Sequence, residues 1–103
     1  DESTLILILV ETKDSIIKHY KKLFAFENVI LKFTDGALRA VAKLSMERKS
    51  GARGLRSILE NTMLEVMYDI PSQSDIKECV ISEDVVLKKE KPILIYEGKS
   101  ESA

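Results

Sequence analysis

The sequence has few of the residues that disulfide-linked, metal-binding and membrane-spanning proteins require. Its single cysteine, Cys79, cannot form a disulfide within the chain, so we expect a reducing compartment. Its single histidine, His19, leaves a metal site without the usual set of histidine and cysteine ligands. The longest apolar run, Leu5 to Val10, is far shorter than the roughly 20 residues of a membrane span. We therefore expect no metal site and no membrane partner.

The sequence also lacks an excess of charge of either sign, and it lacks catalytic motifs. The chain carries 16 basic and 17 acidic residues, so any basic binding site must be local. No Ser/His/Asp set is available for acyl transfer, and no pair of carboxylates is singled out by its spacing. The segment Gly98-Lys99-Ser100 imitates the end of a phosphate-binding loop, but Ile93 stands where that loop needs a glycine. We therefore expect no catalytic centre in this chain.

The 103 residues are enough for one small domain with its own core. The chain does not begin with methionine and opens on an apolar run, so we expect a piece of a longer protein. Periodicity predicts three helices. The residues expected to face inward are Ile16, Ile17, Tyr20, Leu23 and Phe24 in the first, Leu38, Val41, Ala42 and Met46 in the second, and Leu55, Ile58, Leu59, Thr62, Met63, Val66, Met67 and Ile70 in the third.

Shorter signals place the strands and the element ends. Thr34 is the expected cap of the second helix, which ends near Lys49, and Pro71 stops the third. The remaining predictions are strands at Val29 to Phe33, Ile76 to Ile81 and Pro92 to Tyr96, a turn at Ser82-Glu83-Asp84, and fraying of Gly98 to Ala103. The run from Leu5 to Val10 fits a strand or a helix. This order indicates an α+β domain, mostly helical, with a short three-stranded sheet on one side.

Two arginines near the start of the third helix are the most informative feature. A helix N-terminus favours acidic residues, so Arg53 is locally unfavourable there unless an anion compensates it. At 100° per residue, Arg53 lies about 120° from the centre of the apolar stripe and Arg56 about 60° from it. Arg53 is therefore either a solvated surface arginine or part of an anion site that its flanking glycines, Gly51 and Gly54, leave accessible. For Arg56 the ordinary interpretation is a salt bridge at the rim of the core.

A local basic cluster leaves a DNA-binding interpretation open. Arg48, Lys49, Arg53 and Arg56 surround a tight turn between two helices, as in helix-turn-helix proteins. The third helix has few base-reading side chains in its first turns, and the net charge is −1. We therefore expect no nucleic acid partner, and DNA binding is kept only as the less favoured alternative.

Two motifs carry a resemblance to a known family. The segments are Gly51-Ala52-Arg53-Gly54-Leu55-Arg56-Ser57-Ile58 and Met67-Tyr68-Asp69-Ile70-Pro71-Ser72. Together they resemble the sensor II region of the ClpX family of AAA+ protein unfoldases. Other parts of the same domain match Tyr20 to Phe24, Leu31 to Ala42 and Pro92 to Tyr96.

The resemblance implies an AAA+ small (lid) domain over residues 1–97, with sensor II at 51–57 and a tail at 98–103. Arg53 would be the sensor II arginine that contacts nucleotide, supported by Gly51, Ala52 and Gly54. Arg56 would be a second contact or a rim salt bridge. ATP with Mg would be bound mainly by a large domain absent from this chain, and zinc would occur only in an absent N-terminal domain.

The implied partners are the large AAA+ domain of the same chain and neighbouring subunits of a homohexamer. The parent would unfold protein substrates and feed them to the ClpP peptidase in a bacterial cytoplasm. Walker A, Walker B, pore-loop and ClpP-docking segments are absent here, so we expect this chain alone neither to hydrolyse ATP nor to bind it tightly.

The chain departs from the family pattern at its start, where the resemblance implies a helix over Leu5 to Val10. Thr12 stands where a proline is usual, which weakens the expected break between two helices, and Leu7 and Val10 replace residues that are usually polar. The extra apolar surface is either a docking face for the large domain or a neighbouring subunit, or the contact surface of a stand-alone protein-interaction module.

Overall fold

The computed structural model describes residues 2–70 and 75–97. Four helices and three strands are assigned within these ranges: α1 (Glu2–Phe26), β1 (Ile30–Phe33), α2 (Asp35–Arg48), α3 (Gly51–Asp69), β2 (Ile76–Ile81), α4 (Glu83–Lys88) and β3 (Ile93–Tyr96). The predicted α+β class, mostly helical with a small sheet, is confirmed. Pro71 and the predicted fraying of residues 98–103 lie outside the described residues.

The three strands form one mixed sheet in the order β1-β2-β3. β1 runs parallel to β2, with Leu31 opposite Cys79, and β3 runs antiparallel to β2, with Leu94 opposite Cys79. Cys79 is therefore the centre of the sheet and is completely buried. Its side chain joins those of the helices in a single hydrophobic cluster, where it acts as a small buried apolar residue.

Helix α1 is one continuous helix of 25 residues, so Leu5 to Val10 is helical and the family's break, which Thr12 made less certain, does not occur. Threonine keeps the backbone N–H that proline lacks and has no ring to clash with the preceding turn. The second half of α1 packs on the core through Ile16, Ile17 and Phe24, as predicted. Tyr20 is half-buried, and Leu23 is exposed at the edge of this face.

Helix α2 begins as predicted, because the Thr34 hydroxyl accepts a hydrogen bond of 3.0 Å from the backbone N–H of Ala37. Of the four residues predicted to face inward, Val41 alone is fully buried. The buried residues are Ala37, Ala40, Val41 and Ser45, whereas Leu38 is half-buried and both Ala42 and Met46 are exposed. Small side chains let α2 lie close to both α3 and α4, so packing distance outweighs the hydrophobicity of the individual residues.

Helix α3 is the central element, and it contacts both α1 and α2. Its buried residues are Gly54, Leu55, Ile58, Leu59, Met63 and Val66, which include five of the eight residues predicted to face inward. Thr62 and Ile70 are half-buried, and Met67 is exposed. The helix ends at Asp69, and Ile70 is extended before the proline that follows it.

Helix α4 was missed by sequence reasoning, which predicted a turn at Ser82-Glu83-Asp84. Ser82 is the N-cap residue of α4, and the next two residues form its first turn. Val85 and Val86 are buried, and Lys89 ends the helix with a left-handed backbone at φ 56°. A helix of six residues contains too few turns to show a period, so only tertiary packing defines it.

Candidate functional site

The turn between α2 and α3 places the predicted sensor residues at one end of the domain. Lys49 has a left-handed backbone at φ 58°, and its N–H donates to the carbonyl oxygen of Met46, which closes α2. Gly51 follows with φ 61° at the first position of α3. This backbone region is costly for residues with a Cβ, so the turn itself explains a glycine at position 51.

Gly54 is less strictly determined than Gly51. It is buried, and a Cβ built there would meet the Ser50 hydroxyl and make ordinary contact with the Cβ of Arg48. Rotation of the exposed Ser50 side chain would relieve the first contact. The fold of the turn therefore explains Gly51 without a ligand, but it does not require a glycine at position 54.

Arg53 and Arg56 lie one turn apart on α3 and have different surroundings. Both are exposed. The Nη1 atom of Arg56 lies 3.3 Å from the Glu60 Oε2 atom, four residues further along the helix. Within residues 2–70 and 75–97, the Arg53 side chain has no hydrogen bond or ion pair. The structure thus gives Arg56 the salt bridge expected at the rim and leaves Arg53 as an available cation.

The Arg56–Glu60 pair is close enough to α1 to affect Tyr20. Burial raises the pKa of the Tyr20 phenol above its ordinary value of 10.0, the negative charge of Glu60 raises it further, and Arg56 opposes this. The pair therefore lies where α1 and α3 meet. This contact between the two helices was not visible in the sequence, because it depends on how α1 packs against α3.

The electrostatics of the turn favour an anion. The first turn of α3 has no acidic residue, and Ser50 makes no side-chain hydrogen bond to the free N–H groups of that turn. These N–H groups and the helix dipole place a partial positive charge beside Arg53. Arg48 and Lys49, both exposed, add two further cations from the end of α2.

The first turn of α1 lies against this site. A Cβ at Gly51 would stand 3.7 Å from the Leu5 Cδ1 atom, which is ordinary van der Waals contact. The neighbouring apolar residues of α1 remain exposed, with Leu7 at 63% and Ile6 at 47%. Sequence reasoning identified the apolar run but did not place it beside the Arg53 turn.

The remaining chemistry-bearing residues do not form a second centre. Burial raises the pKa of the Cys79 thiol to about 11, so the neutral thiol predominates at neutral pH. His19 is exposed and makes an edge contact with the ring of Tyr20. Among the described residues, no group of three or more His, Cys, Asp or Glu side chains could hold a metal ion. No helix in the described part of the chain is long and apolar enough to cross a membrane.

Comparison with known proteins agrees with this architecture. The family model described as "C-terminal, D2-small domain, of ClpB protein" matches residues 7–83. The chain belongs to this family. The D2-small domain is a C-terminal AAA+ small domain, so the predicted fold class and family are both confirmed.

A curated relative matches nearly the whole chain. The relative is "ATP-dependent Clp protease ATP-binding subunit ClpX 3" of Methylococcus capsulatus (strain ATCC 33009 / NCIMB 11132 / Bath). The two are 43% identical over 102 residues, which is 99% of this chain. The chain spans 23% of the length of that relative, and the match therefore concerns the small domain alone.

Proposed function

We propose that this chain is the small domain of a ClpX-type, ATP-dependent protein unfoldase subunit and that Arg53 is its sensor II arginine. The observation that carries the proposal is that Arg53 is exposed in the first turn of α3 and has no partner within the described residues, whereas Arg56 is paired with Glu60. An unpaired guanidinium beside free backbone N–H groups is suited to phosphate oxygens.

The arrangement is half of a nucleotide site. The small domain supplies Arg53 and the α3 N-terminus, with Gly51, Ala52 and Gly54 forming the turn that presents them. ATP and Mg are held mainly by the large domain of the same chain, since the sequence of the small domain contains no phosphate-binding loop. Hydrolysis of the terminal phosphate bond of ATP drives the unfolding of protein substrates. Arg53 stabilises phosphate charge and links the state of the nucleotide to the angle between the two domains.

A second surface is suited to packing within a homohexameric ring. Large apolar side chains protrude where α1 and α3 end, with Phe26 81% exposed, Tyr68 89% exposed and Leu64 65% exposed. An apolar groove lined by Leu23 and Met67 lies at the same end. Exposed aromatic residues next to a groove are typical of protein contacts. This end of the domain packs on a neighbouring subunit, and the assembled ring unfolds protein substrates and passes them to the ClpP peptidase.

The decisive experiment replaces Arg53 by Ala in the full-length parent protein. We expect ATP turnover to fall about 10- to 100-fold, because one charge-assisted contact to the reacting phosphates is lost. Unfolding of a stable protein substrate should fall with it. Arg53→Lys should recover part of the loss, since lysine keeps the charge but not the forked geometry.

Arg56→Ala is the matched control, because it removes an arginine from the next turn of the same helix. We expect it to change ATP turnover less than twofold, as Arg56 is already paired with Glu60. Normal turnover in Arg53→Ala, or equal losses in both variants, would contradict the sensor role. The isolated 103-residue chain should show no ATP turnover.

A stand-alone protein-interaction module is the second candidate, favoured by the exposed apolar side chains of Leu5 to Val10. Under this alternative, replacing Leu7 by Ser would abolish binding of a partner protein, and Arg53→Ala would have no effect on any activity. Under the leading proposal, Arg53→Ala lowers ATP turnover more than the replacement of Leu7 by Ser does.

A further inference from the structure

A cleft of about 200 Å³ lies between α3 and α4, with α2 forming its back wall. Its apolar lining includes Ile58 of α3 and Val85 and Val86 of α4, all of which belong to the hydrophobic core. Arg53 is not one of the lining residues, although Arg48, one of the cations beside the Arg53 turn, also lines this cleft. The cleft therefore offers a ligand an apolar floor that continues into the core.

The polar side chains around the cleft offer more hydrogen-bond donors than acceptors. Among the described residues, Glu65 is the one carboxylate in the lining. The Lys89 Nζ atom lies 3.6 Å from the Glu65 Oε2 atom, so these two charges offset each other. Arg48, Asn61 and Thr62 also line the cleft and have no side-chain hydrogen bond or ion pair within the described residues. A guanidinium, an amide and a hydroxyl can all donate to one anionic group.

We propose that this cleft binds a small aliphatic carboxylate. The carboxylate accepts hydrogen bonds from Arg48 and from Asn61 or Thr62, and the hydrocarbon chain lies on Ile58, Val85 and Val86. Arginine pairs with carboxylates through two parallel hydrogen bonds, which favours this head group. The volume is sufficient, because an engineered cavity of about 150 Å³ holds benzene. The proposal is independent of the role assigned to Arg53.

The test uses the 103-residue chain with three probes of defined chemistry. Hexanoate carries both features of the expected ligand, hexylamine has the same chain length with the opposite charge, and inorganic phosphate has the charge without the hydrocarbon. Each is titrated at pH 7 while the methyl NMR signals of Ile58, Val85 and Val86 are followed. We expect hexanoate to saturate these shifts with a Kd on the order of 1 mM. Hexylamine and phosphate should bind at least about tenfold more weakly.

Arg48→Ala provides the residue-level test, because Arg48 is exposed and its removal leaves the core intact. We expect a loss of about five- to tenfold in hexanoate affinity. Arg39→Ala is the matched control, since Arg39 is an exposed arginine of the same helix that does not line the cleft. Equal binding of hexanoate and hexylamine, binding of phosphate as tight as that of hexanoate, or unchanged affinity in Arg48→Ala would overturn the proposal. So would the absence of saturable shifts with hexanoate.

Discussion

The core side and the first turn of α3 belong to one helix, but they differ in how far the rest of the domain buries them. Along the core side, Leu55, Leu59, Met63 and Val66 are almost completely buried against the other elements. In the first turn, Gly51 has a left-handed backbone, and Arg53 is exposed without a partner in the described part of the chain. The first set of residues is fully explained by packing within the domain. The identity of Arg53 is not, which is why we propose that it makes a contact outside the domain.

The difference between the two regions gives the reason for proposing a functional role for Arg53. Exposure alone does not, because Arg56 is also exposed and yet is accounted for by Glu60. The glycine at position 51 does not either, since the left-handed backbone of the turn explains it. Arg53 is distinguished by its position, because it places a cation at the positive end of α3, where the first turn has no acidic residue to compensate it. The following substitutions test this contrast through the free energy of unfolding of the isolated chain.

The largest effect is expected from Leu59→Ala, on the core side of α3. Leu59 is completely buried, so its truncation removes apolar contacts and leaves a cavity that costs about 2–5 kcal/mol. Urea denaturation followed by circular dichroism measures the loss. Leu64→Ala is the matched control on the same helix, and because Leu64 is 65% exposed we expect a change below about 1 kcal/mol. Similar losses in the two variants would contradict the assignment of the core face.

The residues of α3 also show how much of the fold could be predicted from the sequence. An apolar pattern over more than four turns fixes the helix and its buried side, so the five buried apolar residues between Leu55 and Val66 were placed correctly. In α2 the pattern failed, because Ala37, Ala40 and Ser45 are buried for their small size while the more apolar Met46 is exposed. α4 could not be predicted either, since Val85 and Val86 alone cannot define a period.

The candidate site was predictable to a similar extent. The angular position of Arg53 on α3 follows from 100° per residue, and the predicted outward direction agrees with its exposure. The ion pair between Arg56 and Glu60 is a local, four-residue contact of the kind that a helix allows. The contact of Leu5 with the Gly51 turn joins positions far apart in the chain, and no local pattern contains it.

Gly51→Ala, in the first turn of α3, is expected to lower the free energy of unfolding less than Leu59→Ala does. A Cβ at φ 61° costs about 1–2 kcal/mol, although the space beside Gly51 is open apart from Leu5. Gly51→Asn should cost less, because asparagine tolerates the left-handed region better than alanine does. Denaturation midpoints of the two variants and the parent chain provide the comparison. If alanine proves no worse than asparagine, the backbone of the turn does not determine the glycine.

The smallest effect on stability is expected from Arg53→Ala. Because Arg53 has no partner in residues 2–70 and 75–97, its removal should change the free energy of unfolding by no more than about 0.5 kcal/mol. Arg56→Ala should cost about 0.2–0.5 kcal/mol, the usual value of an exposed ion pair within a helix. Urea denaturation of both variants measures these differences. A loss above about 1 kcal/mol in Arg53→Ala would show that the domain itself uses this arginine. A negligible loss, combined with a large fall in ATP turnover in the full-length parent, would mean that Arg53 acts on a group outside its own domain.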